Sequence, residues 1–137
     1  MLKYRPPAGI VALQMSDKKL KIKKQTWEIA SSYFFGTNVL PNWGPFGAGE
    51  NDPSLIGQIR DKVFLEIACG SGHSIKYLIG KGAKKVYGVD FSHNQIEAAR
   101  RINSKAIAEG KVTLFEAPME KILPIKNIDT AFSVYGV

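Results

Sequence analysis

From residue 62 onward the chain switches repeatedly between two apolar patterns. Residues 63–68, Val-Phe-Leu-Glu-Ile-Ala, form a short and nearly continuous apolar run, as a strand buried on both faces requires. The run ends in Cys69-Gly70-Ser71-Gly72, which reads as a turn. Ile75, Leu78 and Ile79 then recur at helical spacing until Gly80 and Gly82 close the segment. Residues 85–90 predict a second strand. Ser92 predicts an N-cap for one long helix with Ile96, Ala99, Ile102, Ala106 and Ala108 on its inner face. Gly110 ends that helix, residues 112–115 predict a third strand, and a loop holding Pro118 and Pro124 leads to a fourth over 130–135. Strands alternating with helices in this way demand a parallel sheet with right-handed crossovers. The expected fold class is α/β, a doubly wound parallel sheet reaching its fourth strand at the end of the chain.

The N-terminal part is organised differently. Residues 1–15 carry Pro6, Pro7 and Gly9 without helical period and predict an extended arm. Ser16 can cap a helix in which Trp27, Ala30 and Phe34 share a face, with Gly36 as its stop. Between Pro41 and Gly49, three glycines and two prolines predict a loop that carries Trp43 and Phe46. The expected divisions are an arm over 1–15, a helix and aromatic loop over 16–59, and a ligand-binding domain over 60–137.

Composition narrows the function classes. With 45% hydrophobic and 23% charged residues the chain can pack a core. No apolar run approaches the roughly 20 residues of a membrane span. The single cysteine, Cys69, excludes an intrachain disulfide framework, and with two histidines, His73 and His93, it leaves little from which to build a metal site. A cytoplasmic setting is the expectation. The net charge of +7 resembles a nucleic-acid signature until it is divided. Residues 1–28 hold seven Lys and Arg against Asp17 and Glu28, whereas the rest holds twelve against ten acids. The excess is a local cluster, which disfavours nucleic acid as the domain's partner.

In such a sheet the ligand lies beyond the carboxyl ends of the strands, where the glycine turn after Ile67 sits. Gly70 and Gly72 allow close backbone approach, and Asp90, eighteen residues past Gly72, stands where a carboxylate can take both hydroxyls of a ribose. A dinucleotide gives a similar outline. However, Ile75 occupies the place of the third fingerprint glycine, and Glu66 ahead of the turn would repel a pyrophosphate by several kcal/mol at about 4 Å. The same carboxylate favours a cationic ligand, and S-adenosylmethionine has a ribose, no phosphate, an ammonium and a sulfonium.

Residues 63–72, VFLEIACGSG, resemble the first motif of the class I S-adenosylmethionine-dependent methyltransferases, with Ala68 in the place of the first glycine. Val89-Asp90-Phe91-Ser92 is similar to the second motif, in which the acid holds the ribose and the next residue packs on adenine. Ala117-Pro118-Met119-Glu120 resembles the segment that rims the adenine, with Pro118 where the family often has Asp or Asn, and Asn127-Ile128-Asp129 resembles the entry to the fourth strand. Within the family the likeness is to the small-molecule type that includes quinone and menaquinone C-methyltransferases.

The resemblance covers about residues 60–137 and implies a three-layer Rossmann-like fold. It implies S-adenosylmethionine as cofactor, held by Glu66, Ala68, Cys69, Gly70, Gly72, Asp90, Phe91, Pro118 and Met119, and a small-molecule methyl acceptor. The family's sheet has seven strands in the order 3-2-1-4-5-7-6, so the chain is expected to lack the later half, which leaves the catalytic residues unassigned and the fourth strand open to self-association. Two alternatives stand beside this reading: a catalytically silent cofactor-binding or interaction module, and a dinucleotide-binding oxidoreductase.

Overall fold

The computed structural model describes residues 17–33, 35–36, 39–43, 48–49, 55–122 and 124–134. The expected arm over 1–15, the cap Ser16, the aromatics Phe34 and Phe46, and Tyr135 lie outside the described residues.

The elements run α1 (Asp17–Ala30), β1 (Asn42–Trp43), β2 (Ala48–Gly49), β3 (Val63–Ile67), α2 (His73–Gly80), β4 (Lys85–Asp90), α3 (His93–Ile102), α4 (Ser104–Ala108), β5 (Val112–Glu116), a 3-10 turn (Met119–Lys121) and β6 (Thr130–Phe132). The last four strands form one parallel sheet in the order β5-β4-β3-β6, so the chain starts in the middle, walks to one edge and crosses back. This is the α/β doubly wound arrangement that the alternation of patterns predicts. Asp129 sets the last register. Its carboxylate accepts the Val63 amide at 2.8 Å while its own amide donates to the Val63 carbonyl at 2.9 Å, aligning Phe64 with Thr130.

Phe64 and Val86 on the strands and Ile75, Leu78 and Ile96 on the helices are fully buried and form the core. Each such side chain contributes roughly 1.5–3 kcal/mol by leaving water. Gly88 lets α2 come this close to the sheet, since a Cβ there would stand 2.6 Å from Ile75 Cδ1 and 2.9 Å from Leu114 Cδ2.

Four elements differ from the sequence expectation: α1 ends at Ala30, before the expected stop at Gly36, and β6 ends at Phe132, short of the expected 135; the other two are a broken helix and an unexpected pairing. The helix begun by Ser92 is broken into α3 and α4 at Asn103, whose Nδ2 donates to the carbonyls of both Gly72 and Ala99 at 3.0 Å. A residue that clasps the glycine turn from α3 leaves the regular helical conformation to do so. Beyond that break Ala106 is buried but Ala108 is exposed, not on an inner face. The aromatic loop also contains a short antiparallel pairing, β1 with β2, in which Trp43 is opposite Ala48.

Candidate cofactor site

The site is built where β3, β4 and β5 end. β3 delivers Ile67 and Ala68 and then turns through Gly70 (φ 52) and Gly72 (φ 77), both in the left-handed region. Ala68 is itself at φ 55, where a side chain costs about 1–2 kcal/mol. The alanine in the place of the motif's first glycine is therefore a strained residue, and more than an added methyl. At Gly72 a Cβ would stand 2.7 Å from Asn103 Nδ2 and 2.8 Å from Ala99 Cβ, so the turn rests directly on α3.

Asp90, at the end of β4, organises the turn beside it. Its Oδ2 accepts the Gly70 amide and its Oδ1 the Ser92 amide, each at 2.9 Å. Burial pushes this carboxyl above its ordinary value, and the amides of Ser92, Gly70 and Phe91 pull the other way. A carboxylate has about four acceptor positions, so these three amides leave one for a ribose hydroxyl.

A cavity of about 280 Å³ opens at this point. Ala68, Asp90, Phe91, Pro118 and Met119 of the sequence-predicted site residues line it, with Ile67, Val89, Ala117 and Glu120. The opposite wall comes from α1, which contributes Leu20, Ile22, Lys23, Thr26 and Trp27. Sequence reasoning placed Trp27 on a packing face and missed the other four. Helical periodicity shows which positions share a face of α1, but no signal in the chain says which element that face meets.

The remaining predicted residues sit behind the cavity. Gly70 and Gly72 shape the turn. Cys69 turns its thiol into the core, and its amide donates to the Val89 carbonyl at 2.9 Å. Burial pushes that thiol well above the ordinary cysteine value. Glu66 is buried beside Ser74, whose hydroxyl bonds its carboxyl, while Oε2 has no partner among the described residues. Desolvation, opposed by Ser74 and reinforced by the Asp90 charge, raises the Glu66 pKa to about 8. Ser71 Oγ lies 2.9 Å from His73 Nδ1, and burial lowers the His73 pKa. Among the described residues no group of three His, Cys, Asp or Glu is placed to hold a metal ion.

These features fit S-adenosylmethionine. A cavity with an apolar lining and one acid at a strand end suits an adenosine. The arrangement offers no anion cradle free of a neighbouring carboxylate, as a pyrophosphate would need.

Comparison with known proteins agrees. A family profile described as a methyltransferase domain matches residues 64–137, more than half of the chain. A tRNA U34 carboxymethyltransferase from Glaesserella parasuis serovar 5 (strain SH0165) is 24% identical over 111 residues, covering 79% of this chain and 34% of that protein. The chain thus spans about a third of the length of the curated relatives it matches. Among solved structures, Arabidopsis thaliana protein arginine methyltransferase 10 is 25% identical with a TM-score of 0.50, covering 56% of this chain and 22% of its own. The DhpI–SAH complex shares the fold at a TM-score of 0.58 and 20% identity, over 87% of this chain and 54% of that one. That coverage exceeds the parallel sheet and its helices, so it takes in N-terminal residues as well. None of these is specifically a quinone C-methyltransferase. Fold, turn, strand-end acid and family profile converge: the chain belongs to the class I methyltransferase domain family, whose cofactor is S-adenosylmethionine.

Proposed function

We propose that this chain is the cofactor-binding part of an S-adenosylmethionine-dependent methyltransferase acting in the cytoplasm on a small-molecule acceptor. The observation that carries the reading is one cavity lined by Ala68, Asp90, Phe91, Pro118 and Met119 at the carboxyl ends of three adjacent parallel strands. When bound, the cofactor supplies an electrophilic methyl group on a sulfonium. This chain's part is to hold it. Asp90 would accept a ribose hydroxyl, Phe91 and Met119 would sandwich the adenine with Pro118 at its rim, and Ala68 to Gly72 would bring backbone against the methionine portion. Glu66, buried behind the turn and bonded to Ser74, would support that turn. Transfer of a methyl group depends on holding donor and acceptor in line, so a rigid cofactor seat is itself a large part of catalysis. Tyr33 and Phe35, both exposed on the N-terminal segment, supply apolar surface suited to a small apolar acceptor.

A second reading concerns the acceptor alone. The curated relatives are named for tRNA U34, and α1 carries Lys18, Lys19, Lys21, Lys23 and Lys24, so an RNA nucleoside is the competing acceptor. The open edge of β6, at the border of the sheet among the described residues, also supports self-association.

The test is thermal unfolding with added ligand. S-adenosylhomocysteine at 100 times its Kd should stabilise the protein by about 2.7 kcal/mol, and NAD should not shift the midpoint. Assays with a small-molecule panel and with unmodified tRNA, run beside light scattering, then assign the acceptor and the oligomeric state. Stabilisation by NAD alone would contradict the proposal.

A further inference from the structure

Helix α1 forms one wall of the cofactor cavity, yet none of its residues is buried. Something other than a hydrophobic core must hold it there. The structure shows what does. Glu28, in the last turn of α1, reaches across to the start of α3, where its Oε1 accepts the His93 amide at 2.6 Å and its Oε2 the Asn94 amide at 3.1 Å. The Asn94 side chain returns the contact, its Nδ2 donating to the Glu28 carbonyl at 3.2 Å. The first amides of a helix have no partner within the helix, and they carry the positive end of its dipole. Ser92 takes the Gln95 amide in the usual capping manner, at 3.3 Å. Glu28 thus completes the cap from another element, 65 residues away in the chain. One turn earlier on α1, Lys24 lies 3.5 Å from Glu116 at the end of β5, which also meets His93 Nδ1 at 2.9 Å.

The α3 amides that Glu28 caps, those of His93 and Asn94, lie just past Asp90 and Phe91, with Ser92 between. The residues it carries on α1, Lys23, Thr26 and Trp27, face the same cavity from the other side. We propose that Glu28 is a positioning residue for cofactor binding: by capping α3 it locks α1 down as the removable wall of the adenosine pocket, so that α1 docking and cofactor binding reinforce each other. This rests on the cofactor reading above. An undocked α1 is a 14-residue helix without a core contact, and a helix of that length is marginal in water. The adenosine would then lose one of its two walls to solvent.

The lysines of α1 supply the probe. Lys18, Lys19, Lys21 and Lys23 are exposed, and trypsin cuts after lysine when the chain can unfold locally. The experiment compares the parent, Glu28→Ala and Glu28→Gln by trypsin cleavage within α1 and by calorimetric titration with S-adenosylhomocysteine. Glu28→Ala should be cut within α1 about fivefold faster or more without ligand, because opening of the helix is no longer opposed by the cap. Its affinity should fall about tenfold, the scale of a lost cap, while global melting stays near the parent's. Glu28→Gln, which keeps one acceptor oxygen, should fall between the two. A bound ligand should slow cleavage in the parent and much less in Glu28→Ala, a response that a merely structural contact would not give. Cleavage of Glu28→Ala at the parent's rate would overturn the latch. Faster cleavage with unchanged affinity would overturn its role toward the cofactor. A parent that binds no S-adenosylhomocysteine, together with a fast-cleaved variant, would overturn the cofactor reading and that role while leaving the docking contact standing.

Discussion

The two walls of the cofactor cavity are held in opposite ways. On the sheet side, Ile67, Ala68, Val89 and Asp90 hang from strands whose neighbours Phe64 and Val86 are fully buried. On the α1 side, Leu20, Lys23, Thr26 and Trp27 hang from a helix fastened by Glu28 on the α3 amides and by exposed charges around Glu116. Burying a large apolar side chain is worth roughly 1.5–3 kcal/mol, whereas an exposed ion pair contributes about 0–1 kcal/mol. One wall therefore shares the stability of the whole domain and the other has only its own. A site built in this way keeps its recognition elements fixed and leaves a way in for the ligand.

The contrast can be broken hardest at Gly72. Alanine there combines positive φ with contacts of 2.7 Å to Asn103 and 2.8 Å to Ala99, so Gly72→Ala should cost about 3 kcal/mol or more, read by denaturant unfolding. Glu66 comes next. Its carboxyl ionises near 4.5 in an unfolded chain and near 8 in the folded one, so between these values the folded state binds the extra proton. Stability should then fall as pH rises from about 5 to 8, by on the order of 3 kcal/mol, and level off above. Glu66→Gln should flatten that slope, and a parent whose stability rose over the same range would contradict the assignment. Asp90→Ala should weaken S-adenosylhomocysteine binding by about 1.5–3 kcal/mol in a titration, the worth of hydrogen bonds to a charged group. Ala68→Gly relieves the left-handed strain and should raise stability by up to about 1 kcal/mol, seen as a later unfolding midpoint. The smallest effect belongs to the other wall, where Lys24→Ala should change global stability by no more than about 0.5 kcal/mol.

The same contrast decided what the sequence could reveal. The β3 and β4 strands, the turn between Cys69 and Gly72, and Asp90 at its strand end were legible because apolar period, glycine spacing and chain order all report on local structure. The break at Asn103 was not, because it depends on a side-chain bond to Gly72, a residue brought near only by the fold. The strain at Ala68 was hidden for a related reason, as identity alone does not give φ. Leu20, Ile22, Lys23 and Thr26 were invisible as cavity residues because their helix is amphipathic only weakly and docks through Glu28, a residue whose partner lies 65 positions away. The resemblance makes Glu66 and Cys69 cofactor-binding residues, but alternation along β3 does not say that the Glu66 carboxyl bonds Ser74 and that Cys69 packs into the core.

The central claim is that this cavity is a seat for an S-adenosyl ligand and not for a dinucleotide. Isothermal titration of the protein with S-adenosylhomocysteine and, in a matched run, with NAD tests it most directly. The account predicts saturable one-to-one binding of S-adenosylhomocysteine with a Kd of about 1–100 µM, or −8 to −5.5 kcal/mol, and no measurable heat from NAD. Saturable NAD binding tighter than that of S-adenosylhomocysteine would contradict it.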